Sequence, residues 1–312
     1  MLMLATKEKR LFTIGVCATE SSEGLPQLIR LIVTESFPED YILSRIVIVA
    51  SACSENSLRD VRKLASEDVR IILIEEKSRR GKANALNTII GNASGSYLVF
   101  VNGDAMPERN SITKLLFAVD RPDEKVGVAS GCPTFRPRNG PTSLVEELFW
   151  DVHNECSLRL NHLNVSNHSN DEMMVIRTDL LRQLPDGLVN DGAYMAGRAK
   201  LLGYSIKFCS DAPVRIDVPS KCIDLIRQRR RIIFGHFQVW RLTGRNPKTI
   251  ESLLLQSPFL GLSMIVRILA RNSKLIRVTP LAIVCEWISI ILGLKDAMAS
   301  TQRHAVWERY GN

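Results

Sequence analysis

Apolar runs alternate with amphipathic segments along the first two thirds of the chain. Continuous apolar runs bounded by polar turns predict buried strands, and apolar residues spaced three and four apart predict helices. Strands are predicted at 11–19, 45–51, 69–76 and 96–107, and helices at 25–36, 56–67 and 81–93. This alternation is typical of a mostly parallel α/β sheet covered by helices. Such sheets bind ligands at the carboxyl ends of their strands, where polar residues stand at 18–20, 51–55, 75–82 and 102–104.

The strand pattern fades after about residue 215, and a helical, basic and apolar region follows. Two apolar segments, 253–270 and 278–294, approach the length of a membrane span. Charged or helix-breaking residues interrupt both segments, among them Pro258, Arg267 and Glu286. The pattern therefore predicts helices that pack on the protein or lie at a membrane surface.

The composition is that of a folded protein with a sizeable core, since 45% of the 312 residues are hydrophobic. The balance of 41 basic and 33 acidic residues suits an anionic partner or a solvated surface. The seven cysteines include no CxxC pair, which favours reduced thiols in a cytosolic protein. Only a short apolar run precedes the first charges, so no secretory signal peptide is predicted and the expected location is cytoplasmic.

Two acidic residues stand at positions that suit a metal ligand or a general base. Asp104 follows a predicted strand, with Asn102 nearby in the sequence. It is either an ordinary turn residue or a ligand for a hard cation that bridges a diphosphate. Asp191 precedes a predicted helix and is either its N-cap or a general base. The residues alone leave both alternatives open.

A basic segment at 223–242 combines five arginines with an otherwise apolar, partly aromatic run. Because arginine presents a fixed fork of donors, the segment suits a nucleic-acid face, a membrane-surface helix or a clamp for a phosphorylated ligand. The arginines are Arg227, Arg229, Arg230, Arg231 and Arg241.

Taken together, these segments resemble glycosyltransferase family 2, whose members have the GT-A fold. The resemblance covers roughly residues 11–240 and is greatest to archaeal and bacterial members with DxD-like and Arg-Gln-Arg-Arg-Arg segments. Its segments are "IVIVASACSENS" after the second strand, "RRGKANALN", "FVNGDAMP" in place of DxD, "VNDGAYMAGRAKLLGY" in place of the Thr-Glu-Asp base motif, and "RQRRRI" in place of QxxRW.

The resemblance implies an inverting, metal-dependent transfer of a sugar from a nucleoside-diphosphate sugar, with UDP expected, to an acceptor hydroxyl. It implies Asp191 as the base, and Asp104 as a ligand of Mg²⁺ or Mn²⁺ with His236 as a second candidate. The expected donor contacts are Ala18, Thr19, Glu20, Ser51, Lys82, Asn102 and Asp104. The expected diphosphate or acceptor contacts are Glu172, Gln228, Arg229 and Arg231.

The resemblance also implies a domain organisation and partners. A catalytic domain at 1–220 has a nucleotide-sugar half, about 1–105, and an acceptor half, about 106–220, and a helical region follows at 221–312. The acceptor is expected to be a saccharide, a polysaccharide or a lipid-linked molecule. A peripheral position on the cytosolic face of the membrane and a homo-oligomer are further expectations, and no nucleic acid is expected.

The chain departs from the family pattern at four positions. Ser51 replaces the acid that binds uracil, and Asn102 replaces the first Asp of DxD. Asn190 replaces the Glu before the base, and Ile232 replaces the Trp of QxxRW. Serine and asparagine still form hydrogen bonds, so nucleotide binding remains feasible.

Three alternatives stay open. The first is a nucleic-acid-binding protein that uses the basic segment. The second is a nucleotidyltransferase, although "ATESSEG" is acidic where such an enzyme is expected to have a glycine-rich basic loop. The third is a binding protein with a degenerate site.

Overall fold

The computed structural model describes residues 9–20, 22–135, 140–299 and 304–306. Its strands are β1 (Arg10–Thr19), β2 (Tyr41–Ser51), β3 (Ile71–Glu76), β4 (Tyr97–Asn102), β5 (Met106–Pro107), β6 (Val126–Thr134), β7 (Met173–Arg177) and β8 (Ser205–Arg215). Its α-helices are α1 (Leu25–Thr34), α2 (Glu55–Glu67), α3 (Lys82–Asn92), α4 (Ser111–Val119), α5 (Pro141–His162), α6 (Asp191–Leu201), α7 (Cys222–Thr243), α8 (Ile250–Gln256), α9 (Pro258–Arg271) and α10 (Thr279–Ala299). The predicted α/β class with a C-terminal helical region is confirmed.

One predicted strand is divided in the structure. The apolar run at 96–107 forms β4 and the two-residue strand β5, with a turn between them. The backbone N–H of Gly103 in this turn donates a 2.7 Å hydrogen bond to the carbonyl of Cys17. A Cβ atom at Gly103 would lie 2.8 Å from the Cα of Ala18. The turn therefore presses against the end of β1, and only glycine fits there.

The sheet has apolar side chains on both faces, because its strands are covered by helices on both sides. Along β2, Ile46 and Ile48 join a core with α1 and α4, whereas Val47 and Val49 join a second core with α3 and α6. This alternation follows from the two-residue side-chain period of a strand. The strand order is β3-β2-β1-β4-β7-β6-β8-β5.

The direction of β7 was not predicted from the sequence. Strands β1 to β4 are parallel, but β7 runs antiparallel to both β4 and β6. The residues before β7 therefore lie at the same edge of the sheet as the residues after β4. The backbone N–H of Asn102 accordingly donates to the carbonyl of Glu172 at 3.1 Å.

The C-terminal helices pack on one another and on α5. The apolar segment predicted at 253–270 forms two helices, α8 and α9, which are broken before Pro258. A buried cluster joins α5, α7, α9 and α10 through Val145, Leu225, Ile268 and Cys285.

The arginines of α7 point in different directions and do not form one basic face. Arg229 donates from Nε and Nη2 to the two carboxylate oxygens of Glu286, both at 2.8 Å, and from Nη2 to Glu251 at 2.6 Å. Arg230 donates to both oxygens of Asp296, at 2.5 and 2.7 Å. These pairs fasten α8 and α10 to α7. The structure therefore gives Arg229 a bridging position between helices, which differs from the expected diphosphate contact.

We expect Arg229→Met to lower the free energy of unfolding by about 3 kcal/mol, because two carboxylates with little exposure would lose their shared cation. Urea unfolding followed by circular dichroism measures the change. The matched control is Arg59→Met on α2, whose arginine is exposed and whose loss should change stability by about 0.5 kcal/mol or less. Equal stability of the two variants would contradict a bridging role for Arg229.

Candidate active site

A cavity of about 510 Å³ opens at the carboxyl ends of β1, β2 and β4. Nine of the residues predicted to form the site line it: Ala18, Thr19, Ser51, Lys82, Asn102, Asp104, Glu172, Gln228 and Arg231. This is the edge at which parallel α/β sheets bind their ligands. The structure therefore brings together residues that are more than 200 positions apart in the sequence.

Lys82, the first residue of α3, connects two carboxylates in the wall of the cavity. Its Nζ lies 2.6 Å from Oδ2 of Asp171 and 3.2 Å from Oδ1 of Asp191. Burial lowers the pKa of Lys82, but the two carboxylates outweigh this effect and raise it overall. Burial likewise raises the pKa of Asp171, and Lys82 reverses the shift. At neutral pH these two groups therefore form a charged pair.

Asp191 is a buried carboxyl group rather than a helix cap. The side chain of Asn190 accepts a hydrogen bond from the backbone N–H of Ala193 at 3.2 Å, so Asn190 is the N-cap of α6. Asp191 follows it in the first turn and is only 2% exposed. Burial, opposed by Lys82, raises the pKa of Asp191 to about 6. A carboxyl group that titrates near neutral pH suits proton transfer.

Asp104 and Glu172 flank Asn102 at the end of β4. Asn102 Nδ2 donates to Oε2 of Glu172 at 2.9 Å, and Asp104 is exposed to the cavity. Burial raises the pKa of Glu172 to about 8, with smaller contributions from Asp171 and Asp104. Carboxyl groups are thus crowded here, and their oxygen atoms are the donors that hard divalent cations prefer.

The described residues contain no group of three His, Cys, Asp or Glu side chains that could hold a metal by themselves. A cation that bridges a diphosphate needs only one or two protein carboxylates, because phosphate oxygens and water complete its shell. Asp104 and Glu172 fit that smaller requirement.

The wall at the ends of β2 and β3 carries a second set of polar contacts. Ser51 Oγ donates to Oε2 of Glu76 at 2.6 Å, and Arg80 donates to the other oxygen of the same carboxylate. Arg79, which lines the cavity, donates to Glu20 at 2.8 Å. Ser51 therefore replaces the family's acid at this turn while a carboxylate from the next strand stands beside it.

The cationic side of the cavity is formed by α7. Gln228 and Arg231 both line the cavity and lie three residues apart, on one face of the helix. The positive charge of Arg231 helps Lys82 to lower the pKa of Asp171, which places the guanidinium near that carboxylate. Successive arginines on α7 thus divide their roles, since Arg230 faces α10 and Arg231 faces the cavity.

Four predicted site residues are not among those that line the cavity: Glu20, Asp191, Arg229 and His236. The ring of His236 instead contacts His168, with centroids 5.3 Å apart, in a row that continues through His153 to Trp150. Burial lowers the pKa of His236 to about 3, so its imidazole is neutral at physiological pH. This position does not support His236 as a metal ligand.

Sequence reasoning missed four charged residues that line the cavity, namely Glu23, Arg79, Asp171 and Asp217. Asp171 precedes a short apolar strand in "SNDEMMVIR", which is the same kind of signal that identified Asp104. It was missed because a residue before a strand belongs at the opposite edge of a parallel sheet, and only the antiparallel direction of β7 brings it into the cavity.

Solved structures of glycosyltransferases have a similar fold. The mannosyltransferase PcManGT from Pyrobaculum calidifontis, solved in complex with GDP-Man and Mn²⁺, superposes with a TM-score of 0.64 at 20% identity. The match covers 94% of this chain and 88% of that one. GalNAc-T7, solved with UDP, GalNAc and Mn²⁺, gives a TM-score of 0.52 at 11% identity, over 75% of this chain and 48% of that one.

Sequence comparisons give the family. Glycosyltransferase AglE of Haloferax volcanii is 20% identical over 238 residues, which are 75% of each chain. The family model described as "Glycosyltransferase like family 2" matches residues 10–235, which include β1 to β8 and the cavity-lining part of α7. The chain therefore belongs to glycosyltransferase family 2 and is a glycosyltransferase.

Proposed function

We propose that this enzyme transfers a sugar, with inversion, from a nucleoside-diphosphate sugar to an acceptor hydroxyl. The observation that carries the proposal is the arrangement around one cavity. A buried carboxyl group with a pKa near 6 lies behind its wall, and exposed Asp104 and half-buried Arg231 line its surface. A base beside a cavity that holds a diphosphate site is what a single displacement at a sugar carbon needs.

The donor is proposed to bind along the ends of β1, β2 and β4. Ala18, Thr19 and Ser51 would contact the nucleoside, and Arg231 would contact the diphosphate. The guanidinium fork matches phosphate oxygens, and its charge offsets the charge that develops on the departing diphosphate. UDP is the predicted nucleotide, and GDP is its first competitor, since the PcManGT structure holds GDP-Man.

Mg²⁺ or Mn²⁺ is proposed to bind at Asp104 and Glu172. When bound, the cation would neutralise the diphosphate and stabilise it as a leaving group. Glu172 would supply the carboxylate that Asn102 lacks, because Asn102 replaces the first aspartate of DxD and holds Glu172 at 2.9 Å. The proposed site thus takes its second acid from the residue before β7 instead of the end of β4.

In the proposed reaction, Asp191 accepts the proton of the acceptor hydroxyl. The acceptor oxygen then bonds to the anomeric carbon while the bond from that carbon to the diphosphate oxygen breaks, and the electron pair leaves with the diphosphate. Attack opposite to the leaving group inverts the anomeric configuration. Lys82 can keep its 2.6 Å contact with Asp171 while the longer 3.2 Å contact with Asp191 gives way to the acceptor hydroxyl.

The acceptor is proposed to be a saccharide hydroxyl, either free, in a polysaccharide or on a lipid carrier. It would enter beside Asn190 and Gln228, which line the cavity near the proposed base. A cytoplasmic location with the enzyme at the cytosolic face of the membrane remains part of the proposal, as does a homo-oligomer.

Asp191→Asn is expected to reduce turnover about 10²- to 10⁴-fold, because the amide cannot accept the acceptor's proton. Release of nucleoside diphosphate from UDP- and GDP-sugars is measured with Mn²⁺ and a panel of saccharide acceptors, and nucleotide affinity is measured by calorimetry. Nucleotide affinity should not change. The matched control, Asp186→Asn, alters an exposed residue before α6 and should behave like wild type. Turnover by Asp191→Asn within twofold of wild type would remove the residue from the base role.

The pH dependence tests the same assignment. Below the pKa of Asp191, about 6, the base is protonated, so kcat/KM should rise with pH through that value and then level off. Lys82→Met should move this limb to higher pH, because the positive charge of Lys82 lowers the pKa of Asp191. Lys82→Arg keeps the charge and should leave the limb in place. A limb that stays unchanged in Lys82→Met would show that another group titrates.

The metal site is tested by binding rather than turnover. Asp104→Ala and Glu172→Gln should each weaken Mn²⁺-dependent binding of UDP or GDP about tenfold or more, because a hard cation loses a carboxylate in each variant. Calorimetry and the electron paramagnetic resonance signal of free Mn²⁺ measure this. Asp123→Asn changes an exposed turn carboxylate and is the control. Wild-type Mn²⁺ affinity in Glu172→Gln, with a loss only in Asp104→Ala, would assign the cation to Asp104 alone.

A further inference from the structure

Helix α10 has an unusual distribution of side chains, because its bulky apolar residues face outward. Its exposed apolar residues are Ile283, Val284, Trp287, Ile288, Ile291, Leu294 and Met298. At 3.6 residues per turn these positions fall within an arc of about 140° on one side of the helix. Trp287 and Ile291 are each 61% exposed. A helix of an ordinary soluble core has the opposite arrangement.

The inner face of α10 is small and polar, and it lies mainly against α7. Ser289 Oγ donates to the carbonyl of Ile226 at 3.3 Å. A Cβ atom at Gly293 would lie 3.0 Å from the carbonyl oxygen of Arg230, so the two helices approach closely. Asp296 is completely buried and paired with Arg230. The apolar residues of α10 therefore contribute little to holding it on the protein.

Exposed apolar residues also stand on α8 and α9, the two helices that precede α10. Leu255 at the end of α8 is 87% exposed, and Phe259 at the start of α9 is 90% exposed. Leu262 and Val266 continue the exposed row along α9. We call this set, together with the exposed residues of α10, the outer apolar surface.

In the α8–α10 region the acidic side chains face α7, and the basic side chains face outward. The acidic residues of 250–299 are Glu251, Glu286 and Asp296, and all three pair with arginines of α7. The basic residues of the same range are all exposed: Arg267, Arg271, Lys274, Arg277 and Lys295. Glu155 and Glu147 of α5 partly offset Arg267, Arg271 and Lys274. The outward charge of this region is therefore positive.

We propose that the outer apolar surface lies in the interface of an anionic lipid bilayer, with α10 parallel to the membrane plane. Outward apolar residues, an exposed tryptophan and a basic rim without exposed acids in these helices are the features of an interfacial helix. A second protein copy would satisfy the apolar residues, but it would bring the net positive charge of this region on each copy close together. The charge pattern therefore favours lipid.

The structure also distinguishes an in-plane position from a membrane span. The segment Ser273–Ala299 is long and apolar enough to cross a membrane, and only 28% of its most apolar 18-residue window is buried. However, its inner face is bound along α7, and Arg231 and Gln228 of α7 line the cavity. A helix bound along its inner side to a helix of the catalytic site can offer only its outer side to lipid.

Flotation of the full chain with vesicles tests this proposal without turnover, so its outcome is independent of the proposed reaction. Vesicles of phosphatidylcholine with phosphatidylglycerol should bind the protein, and vesicles of phosphatidylcholine alone should bind it less. Trp287→Glu and Ile291→Glu should each reduce the ratio of vesicle-bound to free protein about tenfold. In each variant a charge replaces an apolar side chain that the bilayer would bury. Circular dichroism and donor-nucleotide binding verify that the variants fold.

The matched control is Val69→Glu, which places the same charge at an apolar residue that is 99% exposed and outside the outer apolar surface. It should bind vesicles like wild type. Arg277→Gln with Lys295→Gln should remove the preference for anionic vesicles. The proposal is overturned if wild type does not float, or if light scattering shows a dimer that Ile291→Glu dissociates while vesicle binding stays the same.

Discussion

The site depends on a cation held between two carboxylates from separate elements. Lys82 opens α3, Asp171 precedes β7 and Asp191 opens α6, so one ammonium group ties together three parts of the fold. Two buried carboxylates this close would otherwise repel each other, and the energy would be relieved by protonation or separation. Lys82 keeps Asp171 charged and leaves Asp191 with a pKa near 6. The same ion pair thus stabilises the site and sets the proton affinity of its proposed base.

A second constraint comes from α7, which divides consecutive arginines between structure and ligand. Arg229 and Arg230 bind carboxylates of α8 and α10, and Arg231 faces the cavity. A helix places successive side chains about 100° apart, so adjacent arginines point in different directions. Two of the five arginines of the basic segment, Arg229 and Arg230, are therefore explained by carboxylates inside the protein.

Much of the fold could be predicted from the sequence, because strand and helix periods differ strongly in this chain and each turn carries polar residues. Asp104 and Lys82 were found by the same reasoning, since they follow parallel strands. Asp171 was not, because a single antiparallel strand reverses which side of a segment reaches the site. The partners of Arg229 could not be predicted either, since Glu251 and Glu286 lie 22 and 57 positions away and nothing local links them. The local sequence pattern predicts helices and strands, whereas the partners of a side chain depend on how the fold brings distant segments together.

The outer apolar surface and the cavity are connected through one helix. Because α10 contacts α7 through small residues and an ion pair, the two helices hold a fixed spacing, and α7 has the cavity on its other side. An interfacial α10 would therefore hold the cavity at a fixed height above the bilayer. A hydroxyl presented from a lipid headgroup region would then meet the site from a constant direction, which reduces the orientational entropy lost on reaching the base. A soluble acceptor would gain nothing from that arrangement, so the outward apolar face of α10 favours a membrane-borne acceptor for the proposed reaction.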